Sequence, residues 1–106
     1  MKVSIDTTND MIRIKLNVEK FDVNNMQEIK KELQEELEKE TKDVLIDLSP
    51  VTFVDSSGLS VLIAIFKQLA VNKHTMKLCG LQEQPMELLE ITHLHKVFTL
   101  VDNCNS

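Results

Sequence analysis

The chain has 106 residues and a formal net charge of −5, with 42% hydrophobic residues and only two glycines and two prolines. That is enough for one core and too short for two domains, and it is poor material for a disordered or fibrous chain. The acid excess argues against nucleic acid or an anionic membrane surface as a partner, and no basic patch with interleaved aromatics is present.

Lys2 to Thr7 alternates weakly and reads as an edge strand ending in an Asn9-Asp10 turn. Ile12, Ile14, Leu16 and Val18 then alternate with Arg13, Lys15 and Asn17, the period of a half-buried strand, so the two strands predict a hairpin. Asp22 or Asn24 is placed to cap a first helix, with Gln27 in capping-box position and Met26, Ile29, Leu33 and Leu37 as its apolar stripe. The lysines and glutamates between Glu28 and Lys42 form the solvated side. Val44 to Leu48, ended by Ser49-Pro50, suits an interior strand.

Phe53-Val54-Asp55-Ser56-Ser57-Gly58-Leu59-Ser60 comes next and organises the rest. It reads as a strand end, a tight polar turn and a helix that begins at once. Asp and Ser are helix-capping types, because their side chains accept hydrogen bonds from unpaired backbone N–H groups. Gly58 permits a close turn. Leu59, Leu62, Ile63, Phe66, Leu69 and Ala70 share one helical face, which leaves Val61 and Ile65 on an outward flank. Such a helix start can be a plain N-cap, an anion site, a nucleophile or an acceptor of phosphate. Thr75 to Leu81 predicts another strand, Pro85 lies near the start of a third helix with Met86, Leu88, Leu89 and Ile91 on its apolar side, and Val97 to Val101 is the last strand. Asp102 to Ser106 reads as a flexible tail. Strands that alternate with helices imply parallel neighbours joined by right-handed crossovers, hence an α/β domain over residues 1–106 with a mixed, mainly parallel sheet and helices mostly on one face.

The string Val44-Leu45-Ile46-Asp47-Leu48-Ser49, followed by Val51-Thr52-Phe53-Val54-Asp55-Ser56-Ser57-Gly58-Leu59, resembles the signature of STAS domains, in particular the stand-alone anti-sigma factor antagonists of bacteria. The resemblance covers nearly the whole chain in length and element order. It implies that Ser56 is phosphorylated by a partner kinase. The family's Gly-Glu-Leu-Asp-like turn corresponds to Glu19-Lys20-Phe21-Asp22, so Asp22 keeps the aspartate while the glycine is missing. The resemblance thus implies a phosphorylation-controlled binding switch and not an enzyme. The unmodified form binds a serine kinase or anti-sigma factor-like partner, phosphorylation of Ser56 releases it, and a phosphatase resets the switch. Asp22, Asp55, Ser57, Gly58, Val61 and Ile65 are the expected partner-binding residues. ATP and metal are expected only in the kinase and phosphatase, with no cofactor or metal in this chain. Length and serine position are also similar to those of a biofilm regulator in the family, so a non-sigma output such as exopolysaccharide production stays open.

From another class, the helix start fits a small anion- or nucleotide-sensing module or enzyme. A Ser-His-Asp hydrolase would need glycines around a strained serine elbow, where Val54 and Asp55 stand, and glycine-rich phosphate loops are absent. His74, His93 and His95 lack the neighbours of a metal site. Cys79 and Cys104 read as incidental, with neither metal spacing nor a disulfide framework. No apolar run is long enough for a signal or a membrane span, so a cytoplasmic protein without a membrane partner is expected.

Overall fold

The computed structural model describes residues 2–105; Met1 and Ser106, part of the expected domain and tail, lie outside the described residues. The elements run β1 Val3–Thr7, β2 Met11–Leu16, β3 Lys20–Phe21, α1 Met26–Lys39, β4 Asp43–Asp47, β5 Phe53–Val54, α2 Ser56–Val71, β6 Met76–Cys79, α3 Glu83–Ile91, a 3-10 turn Leu94–Lys96 and β7 Thr99–Val101. The main sheet has the order β1-β2-β4-β6-β7. Only β1 is antiparallel to its neighbour β2; the pairs from β2 to β7 are parallel. The α/β class and the mixed, mainly parallel sheet are as expected.

The alternation in β2 sends Ile12, Ile14 and Leu16 to one face, where they meet Val44 and Ile46 of β4, Met76 and Leu78 of β6, and the stripe Ile29, Leu33 and Leu37 of α1. The opposite face carries the other parity: register aligns Ser4, Lys15, Asp47, Cys79 and Val101 in one row and Asp6, Arg13, Leu45, Lys77 and Thr99 in the next.

Several local expectations differ. The N-cap of α1 is Asn25 and its side chain makes no cap hydrogen bond. Instead, Asn25 Nδ2 donates to the Lys20 carbonyl at 2.7 Å, so its amide holds the preceding strand. Ile91 is 76% exposed, because α3 ends there and turns its Pro85 and Leu89 side inward. The final strand is shorter than expected, since Leu94 to Lys96 tighten into a 3-10 turn that carries Phe98 into the core against Phe66, ring centroids 5.4 Å apart.

The two cysteines are not incidental. Cys79 and Cys104 form a disulfide with Cα atoms 5.3 Å apart. Register explains it: Cys79 lies beside Val101 on the outer face, and three residues let the chain turn back over that face.

Candidate functional site

Two very short strands build the site. Lys20 and Phe21 pair in parallel with Phe53 and Val54, giving a second, two-stranded sheet that brings the chain before α1 against the start of α2. The Glu19 carbonyl accepts from the amides of Thr52 and Phe53, and the Phe21 carbonyl accepts from the Asp55 amide at 3.2 Å. On the other edge, Gln84 of α3 acts like a strand partner: its Oε1 accepts from the Val54 amide at 2.8 Å and its Nε2 donates to the Val54 carbonyl at 2.9 Å. Nothing in the sequence singled out Gln84 for this work.

Asp55 is the N-cap of α2, with extended backbone. Its Oδ1 accepts from the Gly58 amide at 3.0 Å, satisfying one orphan donor of the first turn. Its Oδ2 accepts from the Val23 amide at 3.2 Å, so one carboxylate ties the helix start to the loop before α1. Asp22, in that same loop, is half-buried, and its Oδ1 accepts from the Asn24 amide at 3.0 Å while its carbonyl accepts from Asn25 and Met26. The two loops are neighbours. Among the described residues, though, no hydrogen bond joins the Asp22 carboxylate to Ser56.

Ser56 occupies the first position of α2 and is exposed, and its hydroxyl makes no hydrogen bond among the described residues. Ser57 is half-buried; its carbonyl accepts from the Ser60 hydroxyl at 2.6 Å. The outermost hydroxyl of the turn is therefore that of Ser56.

Three expected partner-binding residues are corrected. Val61 and Ile65 are 0% exposed and belong to the core. The inward side of α2 is Gly58, Leu59, Val61, Leu62, Ile65 and Leu69, with Ile63 and Phe66 only half-buried. The helix is rotated from the expected face, so that Val61 and Ile65 join the core cluster, and α1 is one of the elements packed against α2. Gly58 is buried too: a Cβ there would lie 2.3 Å from the Phe21 carbonyl oxygen. Glycine is present so that the helix can sit on the β3 backbone, a packing role that leaves nothing for a partner to touch. The exposed apolar residues at the site are Val23 at 67%, between Asp22 and Asn24, and Phe53 at 40%, in the two-residue strand β5; neither lies in a periodic pattern long enough to show which way it faces.

Asp47, Cys79 and Cys104 bring three potential ligand atoms within 4.8 Å of one another, but the two sulfurs are bonded to each other. No helix among the described residues is long and apolar enough to cross a membrane.

Residues 2–106 match the STAS domain family. The chain belongs to that family. Its relatives include the anti-sigma-B factor antagonist of Staphylococcus epidermidis, 29% identical over 96 residues that span 89% of this chain and 88% of the other. The match to the anti-sigma-B factor antagonist of Listeria monocytogenes is 36% identical over 55 residues, about half of each chain. Among solved structures, this STAS domain superposes on the Thermotoga maritima protein TM1081 with a TM-score of 0.87 at 24% identity, covering 95% of this chain and 86% of that one. It superposes on the phosphorylated form of the Bacillus cell fate determinant SpoIIAA with a TM-score of 0.75 at 14% identity, covering 95% and 90%. These similarities establish the fold and place anti-sigma factor antagonists among the relatives.

Proposed function

We propose that this STAS domain is a partner switch of the anti-sigma factor antagonist type, controlled by phosphorylation of Ser56. The observation that carries the reading is the Ser56 hydroxyl, exposed and unbonded at the first position of α2, in a loop that Asp55 fastens from two sides. Unmodified, the Ser56 loop and the flanking Val23 and Phe53 dock on a kinase-like anti-sigma partner, whose own target is then released. That partner transfers the γ-phosphoryl group of ATP to Ser56 Oγ, the serine proton leaves, and ADP is the second product. The added charge of about −1.5 to −2 stands beside Asp55 and near Asp22, where like-charge repulsion and the cost of desolvating phosphate oppose docking. A phosphatase hydrolyses the phosphoserine and resets the switch. ATP and metal belong to the two partner enzymes, and this chain is their substrate.

Support comes from the antagonist relatives and from the fold shared with SpoIIAA, an anti-sigma factor antagonist solved in a phosphorylated form. A biofilm or exopolysaccharide output is a second reading within the same switch, although none of these relatives leads to the biofilm regulator SypA in particular.

The test is incubation with labelled ATP and each candidate kinase, with mass spectrometry to locate the phosphate. Ser56→Ala should abolish labelling and hold the complex together, and Ser56→Asp should weaken it, with the fold intact in both. Phosphate on Ser57 alone would reassign the acceptor. An absence of label with every kinase that binds the domain would favour an anion-sensing or enzymatic use of the helix start.

A further inference from the structure

The outer face of the sheet should be the open one, since the three helices cover the other, yet part of it is closed. Leu45 lies in the outer row between Arg13 and Lys77 and is only 3% exposed. It does not belong to the helix-side core cluster, and neither does Cys79, which is 0% exposed. Two bonds hold the segment after β7 against this face. The disulfide fixes Cys104 to Cys79 on β6, and the Arg13 guanidinium, two strands away on β2, donates to the Cys104 carbonyl oxygen. Residues 102–105 therefore run as a strap from β7 back across the outer face. Beside it, Ser4, Asp6, Arg13, Lys15, Leu45 and Asp47 line a cavity of about 270 Å³.

We propose that Cys79–Cys104 is a reversible thiol–disulfide site, a latch that fastens the C-terminal strap and whose opening uncovers Leu45 and frees Arg13. The proposal stands apart from the Ser56 switch. Neither cysteine belongs to the helix-side core cluster, so the packing of helices on the sheet is made without the bond, which closes a 25-residue span over α3, the 3-10 turn and β7. Disulfides persist in oxidising surroundings and are opened where thiols prevail, so a bond outside that packing is free to respond to redox state. Cys104 is half-buried among exposed neighbours Asn103 and Asn105, which makes its sulfur the one open to attack. A small thiolate attacks Cys104 Sγ, Cys79 leaves as thiolate and takes a proton, and a second small thiol frees Cys104. The sum is one protein disulfide and two small thiols giving two protein thiols and one small disulfide, and a glutathione-class disulfide drives the reverse.

Equilibration of the full chain in glutathione buffers of stepped redox ratio, followed by acid quench and alkylation, tests the site. Both cysteines should become alkylated together and return to the bonded form when oxidised glutathione is restored. Hydrogen exchange at residues 102–105 should rise about tenfold or more on reduction, while helices and inner strands, β4 with Leu45 included, keep their protection. Cys104→Ser should show the fast pattern in both buffers. Loss of the whole sheet's protection on reduction would make the bond a structural staple and overturn the proposal. Failure of the bond to form in oxidised glutathione would overturn it too, as would a strap that exchanges at the same rate in both states.

Discussion

The two ends of α2 are built from opposite material. At its N-terminus the chain leaves a two-residue strand, and a single carboxylate, Asp55, caps the helix and reaches across to Val23, while the serine next to it stays unbonded. At its C-terminus the backbone closes on itself. Asn72 is the C-cap, Lys73 takes a left-handed φ of 61°, and the amides of Lys73 and His74 donate to the carbonyls of Ala70 and Leu69. That is the Schellman pattern, which satisfies the Ala70 and Leu69 carbonyls with backbone amides, and the Asn72 side chain adds a bond to the Gln68 carbonyl at 3.4 Å. One end is finished mainly by backbone geometry, with Val71 82% exposed beside it; the other is held by side chains and leaves a serine hydroxyl outside. The inward side of the helix is core between the two ends, and the exposed, unbonded serine stands at the N-terminal one.

The buried middle supplies the largest effect. Ile65 is fully enclosed, about one turn beyond the equally buried Val61. Ile65→Ala should destabilise the domain by about 2–5 kcal/mol, read as a fall in the denaturation midpoint. Partner affinity per folded molecule should not change. If instead affinity fell and stability held, the flank would be a docking surface after all, and the contrast between the middle and the N-terminal end would collapse.

Gly58→Ala probes the N-terminal end itself. The new methyl would meet the Phe21 carbonyl oxygen, which is strand backbone and cannot swing aside. Expected is a loss of about 1–3 kcal/mol from overpacking, with the helix start pushed away from β3. Hydrogen exchange of the Asp55 and Val23 amides should report the opening before global unfolding does. An unchanged midpoint would mean that the β3–β5 contact is soft, and that the Ser56 loop is less rigidly placed than its two-sided anchoring implies.

Much of the frame was legible because the periodic signals were long. Ile12, Ile14 and Leu16 repeat cleanly at two, and Ile29, Leu33 and Leu37 at four, so strand and helix types emerged directly. The rotation of α2 was not legible, because Leu59, Val61, Leu62, Ile63, Ile65 and Phe66 surround the helix with apolar side chains and define no single stripe. β3 and β5 have two residues each, too few to show any period, yet they set the site. The position of Ser56 at a helix start was readable from capping chemistry alone. That Asp55 also holds Val23, and that Gln84 seals the edge of β5, depends on contacts 32 and 30 residues apart that no local pattern encodes. The disulfide was hidden in the same way: a separation of 25 residues becomes a bond only once β7 is laid beside β6.

The smallest effect lies at the C-terminal end and depends on pH. Beyond the Schellman turn, Asp43 at the start of β4 receives the Thr75 amide at 2.9 Å and faces His74 Nδ1 at 3.3 Å, joining the exit from α2 to the sheet. The Thr75 amide bond holds the Asp43 carboxyl below its ordinary value of 3.8; burial opposes this, and His74 adds to the lowering. A carboxyl with a depressed folded pKa stabilises the fold fully above its unfolded value, and the contribution disappears as pH falls through the folded value. Wild type should therefore be slightly more stable than Asp43→Asn near neutral pH, and the gap should close below about pH 3.8. The side chain is about half exposed, so added salt should shrink the gap as well. Melting curves for the two proteins across that acid range decide between charge and hydrogen bonding. A gap that persists well below the ordinary carboxyl value would show that the amide bond itself, which asparagine accepts less strongly, outweighs the charge, and that this end of the helix is closed by hydrogen bonding alone.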